Sequence, residues 1–257
     1  MHSDVDHNRS VYTLVGSAGE LADALLAGVA VARERIDLRR QVGAHPRIGA
    51  ADVVPLVPLR PDDLPAAREA ARAVAERIGS ELGLPVFLYG DLGRERADLR
   101  RGGPEGLQRR IDAGELAPDF GPPRLDPAAG GVLVGARRPL IAFNVNLRGA
   151  TLEDARSVAR AVRERDGGFP GVRALGLDLP HAGLVQVSMN VEDWEAAALH
   201  EIVARVEREA QARGAEVAGS ELVGLMPAGA AVAAAGALLR IDGFDASRVL
   251  ELRLVEP

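Results

Sequence analysis

The sequence contains no cysteine and no lysine, and aromatic residues make up only 3% of it. Without cysteine there is no disulfide, no thiolate nucleophile and no Cys-ligated metal, so a metal could be held only by His and carboxylates. Without lysine, Schiff-base catalysis by a side-chain amine is excluded, and every basic residue is arginine. So few aromatics leave the core to Ala, Val, Leu and Ile, and provide no stacking platforms for single-stranded nucleic acid. No run of about 18 apolar residues is long enough to span a bilayer. The opening MHSDVDHNRS is polar and charged, unlike a signal peptide. These absences lead to the expectation of a cytoplasmic protein with no membrane partner.

What is present is globular. A chain of 257 residues, 47% of them hydrophobic and 26% charged, can build a sizeable core. The net charge of −6 speaks against nucleic acid as a partner, because neutralising phosphates needs a surplus of basic side chains.

Along the chain, VYTLV at 11–15 is short and β-branched and predicts a strand ending at Gly16. Leu21, Leu25, Val29, Ala32 and Ile36 then recur at helical spacing. Gly43 to Gly49 breaks that pattern before VVPLVPL, whose prolines suit an edge strand. A helix from Asp62 or Asp63 to Leu82 follows, and then LPVFLYG as a buried strand. Residues 91–126 read as a long polar connection rich in Gly, Pro and Arg, of the kind that carries function. The second half runs through LIAFNVNL at 140–147, a helix opened by Thr151 and Asp154, two strands joined at Pro180 to Gly183, a helix from Asp193 to Arg213, the strand ELVGLMP and a buried Ala-rich helix at 228–238.

The second half is thus ordered strand, helix, strand, strand, helix, strand, the split arrangement of ferredoxin-like domains. The first half shows a related but incomplete order. The expected architecture is α+β, two ferredoxin-like α/β subdomains at 1–138 and 139–257, with a binding groove between them.

Candidate chemistry centres on His45, in the loop Gly43-Ala44-His45-Pro46-Arg47-Ile48-Gly49. Pro46 restricts His45 to extended backbone and the glycines permit an exposed loop. On pattern alone, a histidine packed in a loop explains His45 as well as catalysis does. Arg47 has the fork geometry to hold a carboxylate through paired N–H bonds, and a surface arginine is the alternative. Asn144 and Asn146 share one strand face, as do Gln186, Ser188 and Asn190, facing either a ligand edge or solvent. His2, His7, His181 and His200 have no metal-site spacing, and the Asp4, Asp6, His7 cluster is poor support for a metal, so none is expected.

In order along the chain, VYTLVG, HPRIGAADVVPLVP, PVFLYG, APDFGPP, GARRPLIAFNVNL, QVSMNV and SELVGLMP resemble the successive signatures of the glutamate formiminotransferase family. The resemblance implies transfer of a formimino group from N-formimino-L-glutamate to tetrahydrofolate as co-substrate, within histidine degradation and one-carbon metabolism. It further implies two α/β subdomains with folate in a positively lined tunnel between them. The histidine of the family's His-Pro-Arg segment is catalytic, and that position here is His45. Both substrates carry glutamate carboxylates, which makes Arg9, Arg47, Arg124, Arg137 and Arg138 binding candidates, with Asn8 beside Arg9. The folate-contacting segment corresponds to Asp119 through Gly121, Pro122, Pro123 and on to Gly130 and Gly131. Its middle, RLDPAA, departs from the family's serine and aromatic character, which favours backbone over side-chain contacts. The same likeness makes Asn144, Asn146, Gln186, Ser188 and Asn190 candidates for the pterin edge.

Family members usually begin with a further strand and helix carrying a Pro-Asn-Phe-Ser-Glu-Gly signature, then a second strand. Met1 falls in the loop after these, so the first half is expected to lack its leading strand, helix and strand. The cyclodeaminase domain of some members is not expected either. Formyl transfer between 5-formyltetrahydrofolate and glutamate is the rival enzymatic reading, folate binding without turnover the rival outside enzymes, and a homodimer is compatible with both.

Overall fold

The computed structural model describes residues 1–43 and 46–255. It divides into two compact units, Leu14–Arg138 and a second formed by Met1–Thr13 together with Pro139–Pro257. Met1–Thr13 is therefore placed with the later unit, a difference from the division at 1–138. Among the described residues no helix is long and apolar enough to cross a membrane.

The chain opens with a small antiparallel hairpin, β1 (His2–Asp4) and β2 (Arg9–Val11), turning at Asn8, whose φ is 46°. The strand expected at 11–15 is not formed beyond Val11. Tyr12, Leu14 and Val15 are 68%, 48% and 79% exposed, and no described strand pairs with them, so β-branched composition has nothing to act on.

In Leu14–Arg138, α1 (Ala18–Arg35) begins at Ser17, whose N–H and hydroxyl both donate to the Glu20 carboxylate, at 3.0 and 2.7 Å. Next come β3 (Val53–Leu56), α2 (Leu64–Glu81) and β4 (Val86–Gly90). The polar stretch at 91–126 is more structured than expected, for it contains α3 (Arg96–Leu99) and α4 (Gly103–Asp112). Gly102 and Gly103, both at positive φ, obscure α4 in the sequence, yet Leu107 and Ile111 are buried on it and Leu99 on α3. A further strand that the sequence reading missed, β5 (Val132–Ala136), lies at the centre of the sheet.

That sheet has three strands, all parallel, in the order β3-β5-β4. This corrects the expectation of a ferredoxin-like first half, whose sheet would be antiparallel. Helices cover both faces. Val74, Ala75 and Ile78 of α2 pack with Val132 and Val134, while Leu99, Leu107 and Ile111 pack with Phe87, Tyr89 and Leu133. A parallel sheet buried on both sides demands continuous apolar strands, and VLVGA is buried throughout. Pro55 is tolerated because β3 is an edge.

In the second unit, β6 (Ile141–Arg148), α5 (Leu152–Val162), β7 (Val172–Leu179), β8 (Leu184–Val191), α6 (Leu199–Gln211) and β9 (Glu216–Val223) follow the expected element order. The four strands are antiparallel in the order β7-β8-β6-β9, the split strand-helix-strand connectivity. Thr151 and Asp154 close a reciprocal cap on α5, at 2.9 and 3.1 Å. The elements α7 (Ala228–Leu239) and α8 (Leu250–Val255) complete the chain.

Two boundaries and one burial pattern differ from expectation here. The helix expected from Asp193 starts only at Leu199, because the Asp193 carboxylate accepts the Ala196 N–H and shapes a turn. The last strand lies earlier than ELVGLMP, ending at Val223. The Ala-rich helix is only half-buried, with Leu238 and Leu239 82% and 63% exposed.

Alternation sorts the side chains of β6 and β8 between the two faces. Ile141, Val145, Leu147, Val185, Val187, Met189 and Val191 face α5 and α6 in one core. Asn144, Asn146, Gln186, Ser188 and Asn190 take the opposite face, as expected from a period of two.

Candidate active site

In Leu14–Arg138 the segment after His45 is held by the sheet. His45 itself lies outside the described residues. Ile48, fully buried, donates its N–H to Asp52 Oδ1 at 2.8 Å and accepts the Gly131 N–H on its carbonyl at 3.0 Å. The Ala50 N–H reaches the Ala129 carbonyl at 2.8 Å. Asp52 also forms a close ion pair with Arg100.

Both loops that the sequence singled out thus meet. A Cβ on Gly49 would stand 1.8 Å from the Gly131 carbonyl oxygen, and one on Gly130 2.0 Å from that of Ile48. Only glycine allows such an approach, and Gly130 also needs its φ of 71°. Asp126 Oδ1 accepts the N–H groups of Ala128 and Ala129, at 2.9 and 2.8 Å, and fixes the turn into Gly130.

Gly121, Pro122, Pro123 and Arg124 form an exposed stretch just before this turn. Its start is anchored, because the Val86 N–H donates to the Phe120 carbonyl at 2.9 Å and Asp119 accepts the Leu88 N–H at 2.8 Å. Arg47 is partly exposed. Arg137, following β5, donates to the Arg138 carbonyl at 3.0 Å and neighbours Tyr89. Burial pushes the Tyr89 hydroxyl above its usual range, against the pull of Arg137, Arg96 and Arg100. The Arg96 guanidinium lies 5.5 Å from the centre of that ring. Several cations therefore gather at the carboxyl ends of β4 and β5, where open parallel sheets place ligands.

The second unit holds the remaining candidates on the sheet face opposite α5 and α6, where buried His7 of the N-terminal segment meets Gln186. Asn144, 4% exposed, donates Nδ2 to Glu221 at 3.0 Å. Gln186, 1% exposed, donates Nε2 to Asn146 Oδ1 at 2.9 Å and lies 3.4 Å from Glu221. Its Oε1 lies 2.9 Å from His7 Nε2, an arrangement in which the imidazole donates. Ser188 and Asn190 share this face and are partly exposed. Asn8 occupies the turn of the β1–β2 hairpin and Arg9 its second strand, exposed.

Several participants were not assigned to the site from the sequence. Glu221 stands directly across the ladder from Asn144, which the misplaced last strand had hidden. His7 is buried despite its polar surroundings. Asp6 accepts both the backbone N–H and Nδ1 of His181, at 3.0 and 2.7 Å. Burial pushes the Asp6 carboxyl upward, and the hydrogen bonds from His181 outweigh it, leaving Asp6 below the usual range.

Comparison with known proteins bears on the whole chain. Residues 1–137 match the family model of the formiminotransferase domain, N-terminal subdomain, and residues 142–246 that of the formiminotransferase domain. The chain is 39% identical over 248 residues to a glutamate formimidoyltransferase of Streptococcus pyogenes serotype M1, covering 95% of this chain and 83% of that one. It is 37% identical over 258 residues to a glutamate formimidoyltransferase of Thermoplasma acidophilum, covering 98% and 85%. A formimidoyltransferase-cyclodeaminase of Sus scrofa is 40% identical over 231 residues, which span 86% of this chain but 42% of that longer protein.

Proposed function

The chain belongs to the formiminotransferase family, and we propose that it is an enzyme transferring the formimino group of N-formimino-L-glutamate to tetrahydrofolate, giving 5-formiminotetrahydrofolate and glutamate. The observation that carries this reading is the near-complete match to the two formiminotransferase family models and to monofunctional relatives along most of their length.

In this reading His45 is the acid/base. N5 of the pterin attacks the amidine carbon and forms a C–N bond while its proton is taken by the imidazole. The tetrahedral adduct then collapses, the bond from carbon to the glutamate nitrogen breaks, and that nitrogen receives a proton. A group with an ordinary pKa near 6.5 performs both transfers near neutrality, and such catalysis contributes about 10²- to 10⁴-fold. The clamped Ile48–Gly49 and Gly130–Gly131 segments supply a rigid base for the loop that bears it.

The substrate carboxylates are assigned to arginines, Arg47 and Arg137 first among them. Folate contacts are assigned to Gly121–Pro123 and Gly130–Gly131, and the pterin edge to the polar face bearing Asn144, Asn146, Gln186, Ser188 and Asn190. These assignments rest on the family likeness.

The test is a pair of assays on the purified chain, formiminoglutamate with tetrahydrofolate and, in parallel, N-formylglutamate with tetrahydrofolate. Formimino transfer should dominate, and His45→Ala should lower kcat by about 10² or more while folate affinity changes by less than about threefold. Faster formyl transfer would favour the rival substrate, and folate binding without either turnover would reduce the protein to a binder.

A further inference from the structure

The amides on the polar face of the second unit form a directed chain of hydrogen bonds, and we propose that Glu221 sets its direction, as a positioning residue for the amides that read the pterin edge. This rests on the assignment of that edge to Asn144 and Asn146 given above. A carboxylate only accepts, whereas an amide both donates and accepts and can turn either way round. Glu221 stands directly across the ladder from Asn144, and its Oε2 accepts from Asn144 Nδ2 at 3.0 Å and lies 3.4 Å from Gln186 Nε2. Its Oε1 is approached by His2 Nε2 at 3.0 Å, without hydrogen-bond alignment. Both oxygens therefore face protein groups, and Glu221 acts through its neighbours.

From Glu221 the orientation passes along the face. Gln186 turns its Nε2 toward Glu221 and donates it to Asn146 Oδ1 at 2.9 Å, which leaves its Oε1 to accept from His7 Nε2 at 2.9 Å. Each amide then has a single orientation. Asn144 directs its donor inward and Asn146 its acceptor, so the groups left for a ligand are Asn144 Oδ1 and Asn146 Nδ2. They belong to residues two apart on β6, about 7 Å along the strand, with Asn144 nearly buried and Asn146 nearer the surface. Opposite Asn146 the ladder carries Gly219, where an added Cβ would meet nothing within 4 Å, so there is room beside the outward donor. One acceptor and one donor suit the 2-amino-4-oxo edge of a pterin, whose N3–H and 2-amino group donate and whose O4 accepts. The same pair opposes a 4-amino edge, where N3 accepts and the 4-amino group donates.

Calorimetry with two ligands that differ only at that edge, tetrahydrofolate and its 4-amino-4-deoxy analogue, tests the arrangement, with melting temperature recorded for each protein. The unaltered chain should favour tetrahydrofolate by at least about tenfold, because mismatched donors and acceptors in a built site are left unsatisfied. Glu221→Gln is isosteric but brings a donor as well as an acceptor, so Asn144 is no longer held one way round and the preference should narrow to within about threefold. Asn146→Asp keeps an acceptor for Gln186, removes the outward donor and should invert the preference. The proposal is overturned by an unaltered chain that binds the two ligands equally, or by an Asn146→Asp chain that still favours tetrahydrofolate as before. It is equally overturned by a Glu221→Gln chain that keeps the full preference or loses both affinities by the same factor, as a merely structural residue would. Should the unaltered chain bind neither ligand, the pterin reading fails instead, and the role of Glu221 is decided by NMR of the side-chain amides. Slow exchange of the Asn144 Nδ2 protons that is lost in Glu221→Gln supports it, and identical exchange in the two proteins overturns it.

Discussion

The two units solve the same packing problem in opposite ways. In Leu14–Arg138 a parallel sheet is sandwiched between helices, so every strand residue that could carry chemistry is consumed by the core, and function must come from loops at the strand ends. In the second unit an antiparallel sheet packs α5 and α6 on one face, and alternation in β6 and β8 delivers a group of polar side chains to the other directly from the strands. Glycines follow the same divide. Gly49, Gly130 and Gly131 permit loop backbones to touch in the first unit, whereas the second builds its candidate surface from amides and Glu221.

Substitutions at loop, core and face put this contrast at risk. Gly49→Ala should be the most damaging to stability, on the order of 3 kcal/mol, because the new Cβ meets a backbone oxygen that cannot rotate away. Chemical denaturation of the variant measures it, and a loss under about 1 kcal/mol would show that the two loops are not clamped. Val134→Ala, at the fully buried centre of the parallel sheet, should cost about 2 kcal/mol. By contrast Ser188→Val, partly exposed on the face without helices, should stay within about 0.5 kcal/mol. Equal costs at these two positions would erase the distinction between a sheet with helices on both faces and one with helices on a single face.

Gln186→Leu tests whether the polar face is a network or a set of isolated side chains. It leaves the His7 imidazole and Asn146 without the partner that joins them, a loss of about 1–2 kcal/mol. In the functional reading it also weakens binding of tetrahydrofolate, measurable by calorimetry, whereas Gln186→Glu retains acceptors for His7. A Leu variant of unaltered stability and folate affinity would leave the network without a role.

How far the sequence revealed this follows from the same contrast. The second unit was legible because alternation over eight residues, as in IAFNVNLR and LVQVSMNV, has a single structural meaning. The first was less so. VLVGA is only five residues long and gives no period, so the central strand escaped notice, and with it the parallel order of the sheet. Leu99, Leu107 and Ile111 form an apolar stripe interrupted by Gly102 and Gly103, which disguises helix as loop. Of the chemistry-bearing loops, the His-Pro-Arg segment was found by residue type and the glycines at 130–131 by the resemblance to the family. What residue type could not convey was the contact between them, nor Asp52 as the side chain that ties one to the sheet. Polar groups brought together from distant positions, such as His7 with Gln186 or Asp6 with His181, have no local signature.

A further contrast is the dependence of each unit on acid. The Arg110 guanidinium beside Asp98 holds its carboxyl below the usual range in the first unit, and Arg213 does the same for Glu209 in the second, where hydrogen bonds from His181 also lower Asp6. A carboxyl whose folded pKa is depressed contributes stability that is complete above its unfolded value, near 4, and that disappears as pH falls through the folded value. Stability should therefore be level from neutrality down to about pH 5 and decline below about pH 4, with no loss attributable to these groups on the alkaline side. Asp98 and Glu209 are partly exposed, at 30% and 22%, so each should account for less than about 1 kcal/mol. Asp98→Asn should flatten the acid decline contributed by the first unit, and Asp6→Asn together with Glu209→Gln that of the second. Denaturation midpoints at about pH 3 and pH 6 for each variant measure the difference. A triple variant with the same acid decline as the unaltered chain would assign acid sensitivity to other carboxylates and remove these three from the account.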